Sequence, residues 1–166
     1  FAALMLAWPS AAAAYESAEV TNGGTLSGTV RFVGKADAPK PIQVTKDPAF
    51  CGKTKLEEEE LLVSKSKGLA NVVVFISSIA KGKAATPGTA KLENKNCRYE
   101  PRVQGVLAGT HLDVINSDPV LHNTHARLKK LDVFNFGLPE QGQVLRSTLK
   151  EKGLIQVGCD AGHTWM

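Results

Sequence analysis

The chain has 166 residues, of which 43% are hydrophobic and 22% charged, and its net charge is +4. That length suits one domain, and the ordinary apolar share supports a real core. The lysines are scattered and no basic run is interleaved with aromatic residues, which sets nucleic-acid binding aside.

The opening "FAALMLAWPSAAAAYESAEV" joins an uncharged apolar core to small residues, and "AAAA" offers an A-x-A cleavage site before Tyr15. Residues 1–14 therefore read as the remnant of a secretory signal peptide whose charged start is missing, and residues 15–166 as the exported domain. The stretch is short for a membrane span and carries Pro9. No other segment is long and apolar enough, so no stable span is expected. The expected compartment is periplasmic or extracellular.

The mature part reads as all-β. "GTLSGTVRFVG" alternates apolar and polar residues between glycines, which predicts a strand. "KADAPKPIQV" is a proline-punctuated connection whose second half can pair at a sheet edge. "TKDPAFCGKTKLEEEE" is turn-rich, and its four glutamates fit either one short helix or a solvated acidic loop. "LLVSKSKGLANVVVFISSI" predicts two strands, the second over Val72–Ile76 and buried on both faces because its apolar run is continuous. "AKGKAATPGTAKLENKNCRYEP" reads mostly as loop, so residues 46–101 contain irregular insertions. Five strand candidates follow closely: "RVQGVLA", "HLDVINS", "HARLKKLDVFNF", "QVLRSTL" and "GLIQVGC". Turn signals at Asn116-Ser117-Asp118-Pro119 and Leu138-Pro139-Glu140 separate them. Short strands at regular spacing predict a sandwich or barrel.

Three cysteines in an exported chain leave one thiol over. Cys51 and Cys97 both lie in polar, loop-like surroundings, so the simplest pairing joins them. Closing a loop of about 46 residues stabilises by roughly 4 kcal/mol in chain-entropy arithmetic. Cys159 ends an apolar strand and stays free. A free thiol in an oxidising compartment needs a holder, and a metal is the usual one.

The histidines are His111, His122, His125 and His163. In "VGCDAGHTWM", Cys159, His163 and Met166 share one short loop that can wrap an ion. His122, in "LHN", starts a strand after a turn and can supply a fourth ligand. Thiolate, two imidazoles and a thioether suit copper in a trigonal site with a weak axial methionine. Asn123 can bond across to the cysteine loop and hold it. Trp165 reads as a packing residue that shields the site. His125 lies three positions from His122, so a regular strand points it to the opposite face, whereas a bulge would make it an extra ligand. His111 reads as structural or exposed. No nucleophile elbow, phosphate-binding loop or zinc-protease motif is present, so no catalytic set is assigned.

The pair "LHN" and "C…H..M" resembles the cupredoxins, the small blue-copper electron carriers. With "SGTVRFVG", "KDPAFCG", "GLANVVVFI", "CRYEPRV", "NSDPVLHNTHA" and "FNFGLP", the likeness is closer to exported bacterial plastocyanin-like proteins of the methylamine-utilisation type, and covers most of residues 22–166. The resemblance implies a Greek-key β-sandwich holding one copper ion through His122, Cys159, His163 and Met166. It implies a one-electron carrier between redox proteins such as a c-type cytochrome or a dehydrogenase, with the His163 edge facing the partner. The basic balance points to a partner with an acidic docking face. Two features depart from the family pattern. The spacing is Cys-x3-His, where Cys-x2-His or Cys-x4-His is common, and Gly162 helps the extra residue bulge out. The family also continues into a final strand, which here would lie beyond Met166. Two other functions stay open: a copper-delivery or non-redox interaction module, and a type 2 or red copper enzyme in which His122, His125 and His163 leave an open coordination position.

Overall fold

Strands form in this chain where side chains alternate between a buried and a solvated face and a neighbouring strand is available to pair. The computed structural model describes residues 15–166, so the signal-peptide reading of residues 1–14 lies outside the described residues. Two units are distinguishable: one built from the segment ending at Leu26 together with Val74–Ala85, the other from Ser27–Val73 and Thr86–Met166. In the first, β1 (Glu16–Ser17) pairs in parallel with β2 (Lys81–Gly82), and Lys81 meets Glu16 at 2.7 Å.

The second unit is an all-β sandwich. One sheet has the order β4-β3-β5-β8, from β3 (Thr89–Lys95), β4 (Arg98–Glu100), β5 (Thr110–Asn116) and β8 (Val144–Leu149). The other has the order β7-β6-β9, from β6 (His122–Leu128), β7 (Leu131–Leu138) and β9 (Ile155–Gly158). In β5 the residues Thr110, Leu112, Val114 and Asn116 are buried while His111 is exposed, the period-2 pattern of a half-buried strand. β3 runs parallel to β5, which sets Leu92 beside Val114 and Asn94 beside Asn116.

The core lies between the sheets. Leu92, Leu112 and Val114 from one face meet Ala126, Phe134 and Leu138 from the other, and Cys159 belongs to the same cluster. Buried polar groups tie the sheets together, because each must find a partner inside. Asn94 Nδ2 donates to Thr124 Oγ1 at 3.1 Å, linking β3 to β6, and Asn116 Nδ2 donates to the Leu138 carbonyl at 2.9 Å, linking β5 to β7. A second cluster joins Cys51, Leu56 and Cys97 with Phe50 and Trp165 against it. Cys51 ends α1 (Pro48–Cys51), a single turn with proline in its first turn, where the missing N–H costs nothing.

Several expected elements differ. No regular strand forms in "GTLSGTVRFVG", where an isolated bridge joins Arg31 to Gly68. Val72–Ile76 is neither a strand nor buried: Val74 is 73% exposed and Phe75 77%. It has high β-propensity, but propensity needs a cross-strand partner and this segment has none. "RVQGVLA" is likewise irregular, with Val103, Val106 and Leu107 exposed. Conversely, the stretch read as loop contains β3 and β4. "HARLKKLDVFNF" is two strands, not one, because Lys129 takes a left-handed φ of 56° and turns β6 into β7. The short helix sits at α1, and the four glutamates are not helical.

Candidate metal centre

β6 begins at His122, directly after the turn that Asn116 and Asp118 build. The Asn116 amide group donates to the Val120 carbonyl at 2.9 Å, and the Asp118 N–H donates to Asn116 Oδ1 at 3.0 Å. β9 ends at Gly158, and antiparallel pairing with β6 places Gly158 opposite His125. Cys159 therefore emerges at the same end of the sheet as His122. The chain then folds back through Gly162, whose φ of +99° is a conformation that L side chains rarely adopt. An added Cβ there would meet only the Lys46 side chain at 3.5 Å, so backbone conformation, not space, calls for glycine. This turn returns His163 to Cys159, with Sγ and Nδ1 3.6 Å apart.

His122, Cys159 and His163 thus come together, all buried, with donor atoms within 4.8 Å of one another. The imidazole rings lie 4.6 Å apart at 47°. His122 Nε2 donates to Asp118 Oδ2 at 2.8 Å, which fixes the tautomer and leaves Nδ1 with a free lone pair. That Nδ1 is buried and has no hydrogen-bond partner. His163 Nε2 lies 3.0 Å from Asp47 Oδ2, but off hydrogen-bond geometry, so it too is unpartnered. Ligand bonds of about 2.0–2.3 Å around one ion separate nitrogen and sulfur donors by about 3.5–3.8 Å. The 3.6 Å between Cys159 and His163 fits that span.

The electrostatics favour an anion at Cys159. Burial works against the thiolate, but His122 and the backbone amides of Asn123, Ala161 and His163 outweigh it and hold the thiol below its ordinary pKa. Burial also opposes the charged form of His122, yet Asp118 and Cys159 raise its pKa. Burial and the neighbouring His122 lower that of His163.

Asn123 clamps the cysteine loop at two points. Its N–H donates to Cys159 Sγ at 3.4 Å, and its Oδ1 accepts from the Asp160 N–H at 3.1 Å. Met166 packs against the core cluster, and its N–H donates to the His163 carbonyl at 3.1 Å. Trp165 stands edge-on to His163, with ring centroids 5.4 Å apart, and donates Nε1–H to the Cys97 carbonyl at 3.0 Å. Cys51 and Cys97 form a disulfide, and Cys159 is free.

His125 is not brought to this cluster. The β6–β7 register stays regular through Ala126 and shifts only after it, so the side chain keeps the opposite face. Its ring nitrogens meet Asp160 at 2.6 Å and Asp132 at 2.7 Å, and Asp160 is the main cause of its raised pKa. His111 is exposed beside Thr148. The expected exposed edge of His163 is corrected: the residue is 0% exposed, because Asp47, Trp165 and the disulfide stand around it. Sequence reading missed Asp118 as the partner of His122 and Asp47 as the carboxylate beside His163. For Asp118 the signal was its spacing of four from His122 across a turn, whereas Asp47 is distant in sequence and had none.

No helix among the described residues is long and apolar enough to cross a membrane. Comparison with protein-family models, curated proteins and solved structures finds no match.

Proposed function

We propose that the chain is an exported mononuclear copper protein that carries one electron at a time between redox proteins, in which His122, Cys159, His163 and Met166 would hold the ion. The observation that carries this reading is the buried, unpartnered Nδ1 of His122 beside a free thiol of lowered pKa, with His163 Nδ1 3.6 Å from that sulfur. A buried donor with no hydrogen bond is costly unless something else satisfies it. One thiolate with two imidazoles is a donor set that suits copper. Bound there, copper would supply one-electron cycling.

The residues around the donors support that task. Asp118 orients His122, Asn123 holds the Cys159 loop, and the sheets exclude water. The reading carries with it the Greek-key connectivity implied by the resemblance to cupredoxins. The disulfide fits an oxidising compartment, in keeping with export.

The half-buried Trp165 stands edge-on against the buried His163. The surface cavity beside Trp165 and Met166 is lined by Glu57, Glu58, Glu59 and Glu60 against Arg98 and Arg102. Local charge there is acidic although the whole chain is basic, so the proposed partner presents a basic face, not the acidic one that net charge alone predicts. A c-type cytochrome or a dehydrogenase with such a face fits.

Copper-loaded protein mixed with a reduced c-type cytochrome should oxidise it by one electron per copper in stopped-flow absorption, and Cys159→Ser should not. A second reading, copper delivery or storage, draws support from the complete burial of both histidines. Tightly held copper with no electron exchange would select it over the carrier.

A further inference from the structure

The Cys51–Cys97 disulfide does not stand apart from the metal centre. Both sulfurs and a ring nitrogen of His163 lie within 4.8 Å of one another, and all three residues are buried. Cys97 Sγ is also within that distance of donor atoms of Asp118 and His122. His163 presents Nδ1 to Cys159, while its unpartnered Nε2 turns toward Asp47, the residue just before the helical turn that ends at Cys51. On one side the crosslink packs against Leu56, Phe50 and Trp165. On another it lies against both buried histidines of the candidate centre.

We propose that Cys51 and Cys97, once reduced, form with His163 a second metal site for a thiophilic cation such as Zn²⁺ or Cu⁺, next to the Cys159 site and sharing one histidine with it. Two thiolates and an imidazole are a donor set for these ions, and Asp118 beside Cys97 can fill a fourth position. The inference is independent of what Cys159 binds.

The redox step balances with a dithiol reductant. The dithiol gives up two electrons and two protons and closes to its own disulfide. Cys51 and Cys97 take up both electrons and both protons, breaking their S–S bond. Binding a divalent ion as two thiolates then releases those protons. The sulfurs are buried, at 2% and 0% exposure, so the reductant enters by local opening. α1 is a single turn in a turn-rich, largely exposed segment, the part of this loop easiest to open. While the disulfide is closed the second site is shut. When it is open, an ion can pass between the two sulfur sets around His163.

The test uses the full chain carrying Cys159→Ser, which removes the first site and keeps the outcome separate from the copper reading. The protein is treated with dithiothreitol without oxygen, freed of reductant and titrated with Co²⁺, the visible substitute for Zn²⁺. The reduced protein should bind one equivalent with thiolate-to-cobalt absorption and a raised melting temperature, and the oxidised protein should bind none. Adding His163→Gln should weaken binding by at least about tenfold, since loss of even a group that only orients a ligand typically costs about 10–100-fold. Three results would overturn the proposal: no stoichiometric cobalt in the reduced chain, unchanged affinity after His163→Gln, or a disulfide that resists excess dithiol in the folded protein.

Discussion

Asp118→Ala should lower both the stability of the fold and its affinity for metal. Asp118 is 2% exposed, and its two oxygens accept three bonds. Oδ1 takes the Asn96 N–H at 2.7 Å, while Oδ2 takes the Cys97 N–H at 2.8 Å and His122 Nε2–H at 2.8 Å. Asn96 and Cys97 both have positive φ, at 52° and 57°, so the carboxylate holds a turn that L residues enter at a cost. Alanine leaves three donors without an acceptor, two of them on the buried Cys97 and His122 and one on the exposed Asn96. Each orphaned buried donor costs about 1–3 kcal/mol, and losing the two on Cys97 and His122 should cost roughly 2–6 kcal/mol, read as a lower urea midpoint at unchanged slope. The same change frees the His122 ring, and loss of such an orienting partner typically weakens metal binding by about 10–100-fold. Asp118→Asn keeps one acceptor and should fall between. The pH dependence has a defined sign. Burial opposes the anion, but His122 and the two amides outweigh it and depress the pKa. The stabilisation is therefore present above the ordinary carboxylate range and is lost as pH falls through the lower folded value.

The double replacement Cys51→Ser, Cys97→Ser should produce a loss of similar size by a different route. The crosslink spans 46 residues and ties α1 to the turn between β3 and β4. Constraining the unfolded chain over that loop is worth about 4 kcal/mol. For a domain of this size that corresponds to a melting temperature lower by about 8–16 °C. Calorimetry of the two oxidised proteins side by side measures it, and a fall of less than about 3 °C would show that the crosslink constrains little.

The second half of the sandwich was legible in the sequence, and the first was not. β5, β8 and β9 announce themselves by alternating apolar residues between turn signals, and each has a partner in the fold. β3 hides because its inward positions, Ala90, Leu92 and Asn94, alternate with Lys91, Glu93 and Lys95 in a polar-looking stretch. Asn94 also points inward, where a reader expects an apolar side chain, because it bonds to Thr124 on the facing sheet. Val72–Ile76 erred the other way. Its side chains are right for a strand, but pairing is a tertiary property that local composition does not carry. At the site, Cys159, His163 and His122 were readable as types and spacings. That His163 is buried was not, since its cover comes from Asp47 and the disulfide, distant in sequence.

A copper site at His122, Cys159 and His163 is tested most directly by titrating the oxidised, folded protein with Cu²⁺ under absorption spectroscopy. Uptake should saturate at one equivalent with an intense cysteine-to-copper charge-transfer band, absent in Cys159→Ser. No stoichiometric uptake, or a band that survives that replacement, would contradict it.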